Sequence, residues 1–276
     1  MNMATMAEPE AVARPVTETS KKVRSLSVIF PAFNEAANIQ HTVESSRRIL
    51  SLVADSWEIV VVNDGSRDQT GLICDDLAKS YPEVRVVHHV VNKGYGAALK
   101  SGILAARHGL IFFSDSDGQF DLRELPQLLA WTERYDIVAG YRAKREDPPH
   151  RLLNAWGWNM LVRLLLGIRV RDIDCAFKVF RRGVFDRIQI YSVGAMVNTE
   201  ILAQAAHFSM KIKEVPVTHF PRRYGKSTGA NIKVILKAFR ELFRLYGKLR
   251  RIDHDQEGLY AQLWAPQEHA PRIVKS

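Results

Sequence analysis

The chain has 276 residues, 46% hydrophobic and 25% charged, with a formal net charge of +9. That composition excludes a collagen-like or wholly disordered chain and leaves ample length for one large α/β domain or two small ones. The basic balance points to an anionic partner: nucleic acid, a phosphorylated substrate or an anionic membrane surface. In chain order, residues 1–24 lack the apolar core of a signal peptide and read as a disordered polar tail, with the ordered domain starting near Ser25. Leu26 to Phe30 is a predicted strand stopped by Pro31, and Asn34 is the expected cap of a helix carrying Ile39, Val43, Ile49 and Leu50. "WEIVVVNDGS" is a second strand, apolar on both faces as in a buried parallel sheet. A helix over 68–80, a strand over 84–88, a helix from "NKGYG" through Ala106 and a strand over 110–114 follow. "ELPQLLAWTER" is then helical and "YDIVAGYR" a strand.

Beyond Arg145 the pattern changes. Residues 151–166 read as a Trp- and Leu-rich helix, and "DIDCAFKVFRR" and "IKEVPVTHF" as strands flanking a helix at 199–207. After a glycine-rich basic loop, "PRRYGKSTGAN", a closing helix over 231–252 sets Ile232, Ile235, Phe239, Phe243 and Tyr246 on one face. Its lysines and arginines fall mainly on the others. Residues 253–276 read as a loose tail. No stretch reaches the roughly 18 uninterrupted apolar residues of a membrane span, because Arg163 interrupts the best one. Cys74 and Cys175 form no metal-type pair and read as reduced, partly buried thiols.

The β-α-β-α alternation predicts an open, mostly parallel sheet with helices on both faces, in which ligands sit outside the carboxyl ends of the strands. Five of those ends are polar or glycine-rich: "PAFNE", "NDGSRD", "NKGYG", "DSDGQ" and "GYRAKR". They converge on one edge. In "DSDGQFD", carboxylates two apart at a turning strand end can reach one cation, and hard oxygen ligands select magnesium, manganese or calcium. A calcium-binding EF-hand loop is excluded, because Phe120 and Pro126 stand where glycine and glutamate are needed. With few protein ligands, magnesium or manganese needs waters and substrate phosphates, so the pair predicts a diphosphate. "GKST" at Gly225 to Thr228 is not a P-loop, since Phe220 stands where its first glycine is needed, and "NKGYGAALKS" fails both the P-loop and dinucleotide patterns at Leu99.

Taken in order, "PAFNE", "VVNDGSRDQT", "NKGYGAALKSG", "DSDGQFD", "DIDCAFKVFRR" and "RRYGKSTG" resemble the motif series of family 2 glycosyltransferases with the GT-A fold. Within it they are most similar to the dolichyl- or polyprenyl-phosphate mannosyl- and glucosyltransferases. The resemblance covers about 25–250 and implies a GT-A domain over 25–230, followed by a basic amphipathic interface helix. It implies a first nucleotide-binding segment at Pro31, Phe33 and Glu35, and a second at Val62 and Asp64. Asp115, Asp117 and Gln119 are the implied Mg2+ or Mn2+ and diphosphate triad, with Ser116 contributing backbone and Asp121 outside the set. Arg142, Arg151 and Arg222 resemble the groups that receive the lipid phosphate and donor diphosphate, and Ser227 lies in the basic loop. Asn63, Ala155 and Thr228 depart from the family pattern, where aspartate, serine and lysine are common.

What the resemblance implies is inverting transfer of a hexose from GDP-mannose or UDP-glucose to a polyprenyl or dolichyl phosphate. A family 2 enzyme acting on a hydroxyl acceptor is the alternative, and would need a carboxylate base at Asp172 or Asp174. A non-enzymatic basic module for nucleic acid or membrane explains the charge but not the metal pair, so nucleic acid is not an expected partner. The closing helix fits an anionic bilayer surface, with the chain peripheral on the cytoplasmic face of a membrane and a membrane partner protein one way of holding it there.

Overall fold

The structure is a computed structural model, and residues 22–143, 157, 160–221 and 239–247 are described. Among the described residues seven strands form one sheet: β1 (Val23–Ala32), β2 (Ala54–Asp64), β3 (Val84–His89), β4 (Leu110–Phe113), β5 (Ile137–Arg142), β6 (Lys178–Arg181) and β7 (Ile212–Val217). Their spatial order is β3-β2-β1-β4-β6-β5-β7. Only β6 runs antiparallel to its neighbours β4 and β5; every other pairing is parallel. The carboxyl ends of β1 to β5 therefore share one edge. Because β6 is reversed, its approach, 172–177, arrives at that edge too.

Strand alternation explains how the helices are shared between two faces. On one face, Leu26, Val28 and Phe30 of β1 and Ile59 and Val61 of β2 pack under α1 (Ile39–Val53), α2 (Thr70–Ser80) and α4 (Leu125–Leu129). On the other, Ile29, Val60 and Val62 pack with α3 (Tyr95–Ala105) and α6 (Val197–His207). Helices thus cover both faces, as expected from strands with no polar side. A third apolar cluster joins α6 to the helical segments 160–166 (α5) and 239–247 (α7) through Val162, Leu166, Leu202, Leu242 and Leu245. Gly102 lets α3 lie close on the sheet, since a Cβ there would come within 2.3 Å of Ile29 Cγ2.

Several expectations are corrected. Asn34 does not cap the first helix; it sits in the loop at φ 56°, and Asn38 is the residue before α1. Its amide instead accepts a hydrogen bond from Arg67 N–H at 2.8 Å, tying the β1–α1 loop to the β2–α2 loop. "ELPQLLAWTER" is not one helix but a 3-10 turn at Leu122–Glu124, the short α4 and a set of turns. In "DIDCAFKVFRR" only Lys178–Arg181 is strand. On α7, Leu242 and Leu245 are buried and Tyr246 packs partly buried against the same cluster, whereas Phe243 is 57% and Phe239 37% exposed, so of the expected aromatic face among the described residues only Tyr246 meets the core. Residues 1–21, most of the 151–159 stretch, the basic loop and the tail beyond 247 lie outside the described residues.

Candidate active site

The shared edge is assembled by polar cross-links between loops. The β1–α1 loop is held by Asn34 N–H to Ser66 Oγ (3.0 Å), Glu35 N–H to Thr70 Oγ1 (2.8 Å) and Ala36 N–H to Asp68 Oδ2 (3.2 Å). Glu35 is half-buried and accepts from Asn38 Nδ2 at 2.7 Å, while Phe33 beside it is 41% exposed. Val62 is fully buried against α3, so its side chain is core.

Asp64, at the end of β2, is buried and organises the loop after β3. Its Oδ1 lies 2.6 Å from His89 Nδ1 and accepts from Lys93 N–H, and its Oδ2 accepts from Gly94 N–H at 2.8 Å. Burial pushes its pKa up, but those hydrogen bonds outweigh it and hold the carboxyl below its ordinary value. His89 is itself fixed by Ser101 Oγ at 2.8 Å from Nε2. Asn63 Nδ2 lies 3.0 Å from His88 Nδ1, and His88 Nε2 lies 2.9 Å from Asp75 Oδ1, so Asn63 is tied through a histidine to α2. The glycines of "NKGYG" serve backbone packing: a Cβ on Gly96 would come within 2.1 Å of Ser192 O, and Val193 O already accepts from Gly96 N–H.

The acidic turn after β4 is anchored through Ser116. Its hydroxyl donates to Pro31 O at 2.8 Å, and its carbonyl accepts from Thr42 Oγ1 at 3.1 Å. That brings Pro31 and Ser116 together and fixes the backbone between the two aspartates. Asp117 Oδ1 accepts from Gln119 N–H at 3.1 Å, and Gly118 takes φ 73° at the turn. Burial, then the charge of Asp117, push the Asp115 pKa up to about 7, against the opposing pull of Tyr95, Lys178 and Arg142. Asp115 has no ion-pair partner within 4 Å among the described residues. The buried Tyr95 hydroxyl faces Asp115 and Asn198 but meets neither at good hydrogen-bond geometry. Asp121 faces elsewhere: its carboxylate is taken by Arg123 Nε and Nη2.

The donor set fits a hard divalent cation. Two carboxylates that repel one another gain from a shared metal, and among the described residues no group of three His, Cys, Asp or Glu side chains is poised to enclose one. A cation there would draw its remaining ligands from water and substrate. Gln119 Nε2 donates to Phe220 O at 2.9 Å and Phe220 N–H to Gln119 O at 2.7 Å, so only its Oε1 is offered to a metal. The same pair of bonds joins the acidic turn to the strand end that leads toward the basic loop. Arg151, Arg222 and Ser227 lie outside the described residues.

Arg142, at the end of β5, is clamped by Asp172, with Nε to Oδ2 and Nη2 to Oδ1 both at 2.7 Å. Burial works to raise the Asp172 pKa, but Arg142 overrides it and keeps the carboxyl below its ordinary value. Asp172 is thus engaged by Arg142 through both carboxylate oxygens. Asp174, two residues on, is exposed. Lys178 was not anticipated. It is 1% exposed and pairs in register with Phe113 at the end of β4; its ammonium donates to Ile173 O and Cys175 O, with Asn198 Oδ1 at 3.3 Å. The signal was present: strand alternation puts Lys178 on the same face as the core residue Phe180.

The sequence profile described as glycosyl transferase family 2 matches residues 27–189. Glycosyltransferase AglD of Haloferax volcanii is 32% identical over 219 residues, covering 76% of this chain and 35% of that protein. The dolichyl-phosphate beta-glucosyltransferase ALG5A of Trichomonas vaginalis is 33% identical over 210 residues, 70% of this chain and 64% of its own. The chain therefore spans about a third of the first relative's length and just under two thirds of the second's. Among solved structures, glucosyl-3-phosphoglycerate synthase from Mycobacterium tuberculosis, in complex with Mn2+, UDP and glucosyl-3-phosphoglycerate, superposes with a TM-score of 0.60 at 18% identity. The match covers 82% of this chain and 80% of that one, and the fold they share is GT-A.

Proposed function

The chain belongs to glycosyl transferase family 2, and from that premise we propose that it transfers a hexose from a nucleotide-diphosphate sugar, GDP-mannose or UDP-glucose, to a polyprenyl or dolichyl phosphate with inversion. The observation that carries this reading is the Asp115–Asp117 pair on the edge where the parallel strands end, in a chain whose relatives include a dolichyl-phosphate glucosyltransferase. The loops bearing Phe33, Glu35 and Asp64 form the nucleotide side. There Asp64 acts by holding the Lys93–Gly94 backbone in place.

Asp115, Asp117 and the Gln119 oxygen would hold Mg2+ or Mn2+. When bound, that ion offsets the negative charge that builds on the departing diphosphate. Ser116 keeps the turn in register by its bond to Pro31. Arg142, oriented by Asp172, presents a fixed guanidinium to the acceptor phosphate, with Arg151 proposed beside it; Arg222 and Ser227 are proposed for the donor diphosphate. A lipid monophosphate is already largely ionised near neutral pH, its second pKa being about 6, so attack requires no strong base. The engagement of Asp172 with Arg142 supports that choice, because a carboxylate held below its ordinary pKa by a guanidinium is a weaker base. The exposed Asp174 keeps a hydroxyl acceptor as the second reading.

The test incubates the full chain with radiolabelled nucleotide sugars, Mn2+ and polyprenyl phosphate, and extracts lipid-linked product. Absence of product with every donor would sink the reading. Asp174→Ala separates the two acceptors: transfer to a lipid phosphate survives it, and transfer to a hydroxyl does not. Among the described residues no helix is long and apolar enough to cross a membrane. We place the chain peripherally, on the cytoplasmic face where such donors are met.

A further inference from the structure

A groove of about 510 Å3 is formed by the end of α5 and the segment that follows it, with Glu214 of β7 at its side; Arg163, Leu164, Arg169 and Arg171 line it. Three guanidinium groups line it and one carboxylate. That carboxylate is already engaged, since Glu214 Oε1 accepts from Arg171 N–H at 2.6 Å. Two of the arginines are held in place. Arg163 donates Nε and Nη2 to Val170 O at 3.1 and 2.7 Å, and the Arg171 guanidinium sits 4.9 Å from the Tyr141 ring centroid. Arg169 is exposed. Fixed guanidiniums lose less freedom on meeting an oxyanion than mobile ones do, and their planar fork matches phosphate.

We propose that this groove docks the protein onto an anionic bilayer by taking a phosphate headgroup between Arg163, Arg169 and Arg171, with Leu164 entering the interface beside it. Two observations favour a lipid headgroup over free phosphate. Leu164 is 76% exposed at the groove, and Phe243 is 57% exposed on α7, which packs on the same apolar cluster as α5. Arg240 and Arg244 are exposed next to Phe243. Apolar side chains standing among arginines suit the boundary between headgroups and acyl chains. The groove is also one residue from Asp172, which holds Arg142, so docking there brings the acceptor side of the site to the lipid surface. In that respect the proposal rests on the lipid-phosphate reading above.

The experiment measures co-sedimentation of the full chain with vesicles of phosphatidylcholine alone and of phosphatidylcholine with phosphatidylglycerol. In parallel it measures transfer to a short, water-soluble prenyl phosphate without vesicles. Wild type should bind the anionic vesicles selectively. Arg169→Glu with Arg171→Glu should weaken that binding at least about ten-fold, because each basic residue near an anionic surface contributes substantially. The pair Arg169→Lys with Arg171→Lys should lose less, and Leu164→Asp should weaken binding with all arginines present. Melting temperatures of the variants serve to discard any that misfold, and the lysine pair keeps the test decisive if the glutamate pair does. Unchanged vesicle binding by the folded glutamate pair overturns the proposal. So does millimolar inorganic phosphate binding at the groove in a wild type that ignores vesicles. Selective vesicle binding lost in the glutamate pair, in a protein that transfers no sugar, supports the groove while counting against the acceptor reading alone.

Discussion

Two carboxylates near opposite ends of the same sheet, Glu58 and Asp115, are treated in opposite ways. At the amino end, Glu58 is 5% exposed and fully provided for. Its Oε1 accepts from Ser27 Oγ at 2.7 Å and Arg107 N–H at 2.6 Å, and its Oε2 meets Arg85 Nη1 at 2.8 Å. Burial pushes its pKa up, but Arg85, Ser27 and Arg107 outweigh it and hold it below the ordinary value. At the carboxyl end, Asp115 faces burial and a second carboxylate, and its pKa rises to about 7. A charge the fold satisfies by itself belongs to the architecture. One that the fold leaves raised is ready for a ligand the chain does not supply.

The sharpest way to break this comparison is at the metal pair. Asp117→Ala should reduce sugar transfer at least about 100-fold, by loss of charge stabilisation worth roughly 3 kcal/mol, while leaving the melting temperature within a few degrees. A large loss of stability with unchanged specific activity would reverse the assignment. Glu58→Ala should do the converse. It strands Arg85, which is 13% exposed, and should lower unfolding free energy by about 3 kcal/mol in urea titration, with transfer per folded molecule unchanged.

A pH series sharpens the contrast further. Because Asp115 holds its proton up to about pH 7, Mn2+ must compete with that proton below pH 7. Affinity for Mn2+ in the presence of UDP, followed by electron paramagnetic resonance, should fall about ten-fold from pH 8 to pH 6; a flat profile counts against Asp115 as a ligand. The sign for stability is the opposite. A carboxyl raised in the folded state adds stability as pH falls below about 7 and loses it as pH rises through that value. The smallest effect belongs to Asp121, whose side chain accepts from Arg123 N–H at the start of the 3-10 turn. Asp121→Ala should lower stability by about 1 kcal/mol and leave Mn2+ affinity unchanged, showing that proximity in sequence to the pair is not membership of it.

Much of the fold was legible because its signals are local. Runs such as "EIVVVND" declare strands with two apolar faces, and "DSDGQ" is recognisable as a strand-end turn from five residues. Asn34 misled because an asparagine suits both a helix cap and a left-handed loop position, and only the partner loop at Arg67 decides between them. The expected helix over 124–134 is shorter in the structure for a related reason. Its apolar period was real, but tertiary packing uses only Leu125, Leu128 and Leu129 as helical core.

The candidate site divides along the same line. Asp115 and Asp117 could be named from residue type and place at a strand end, and Arg142 from the family resemblance. Their partners could not: Asp172 is 30 residues from Arg142, Pro31 is 85 from Ser116 and Phe220 is 101 from Gln119. The sequence by itself determined the fold class, the sheet edge and the pair of carboxylates, since periodicity and turn chemistry act over a few residues. Only the tertiary structure decided which carboxylates are satisfied and which are left raised. Hydrogen bonding and burial depend on what the fold brings alongside, and the reversed β6 brings Asp172 and Lys178 to the edge where the parallel strands end.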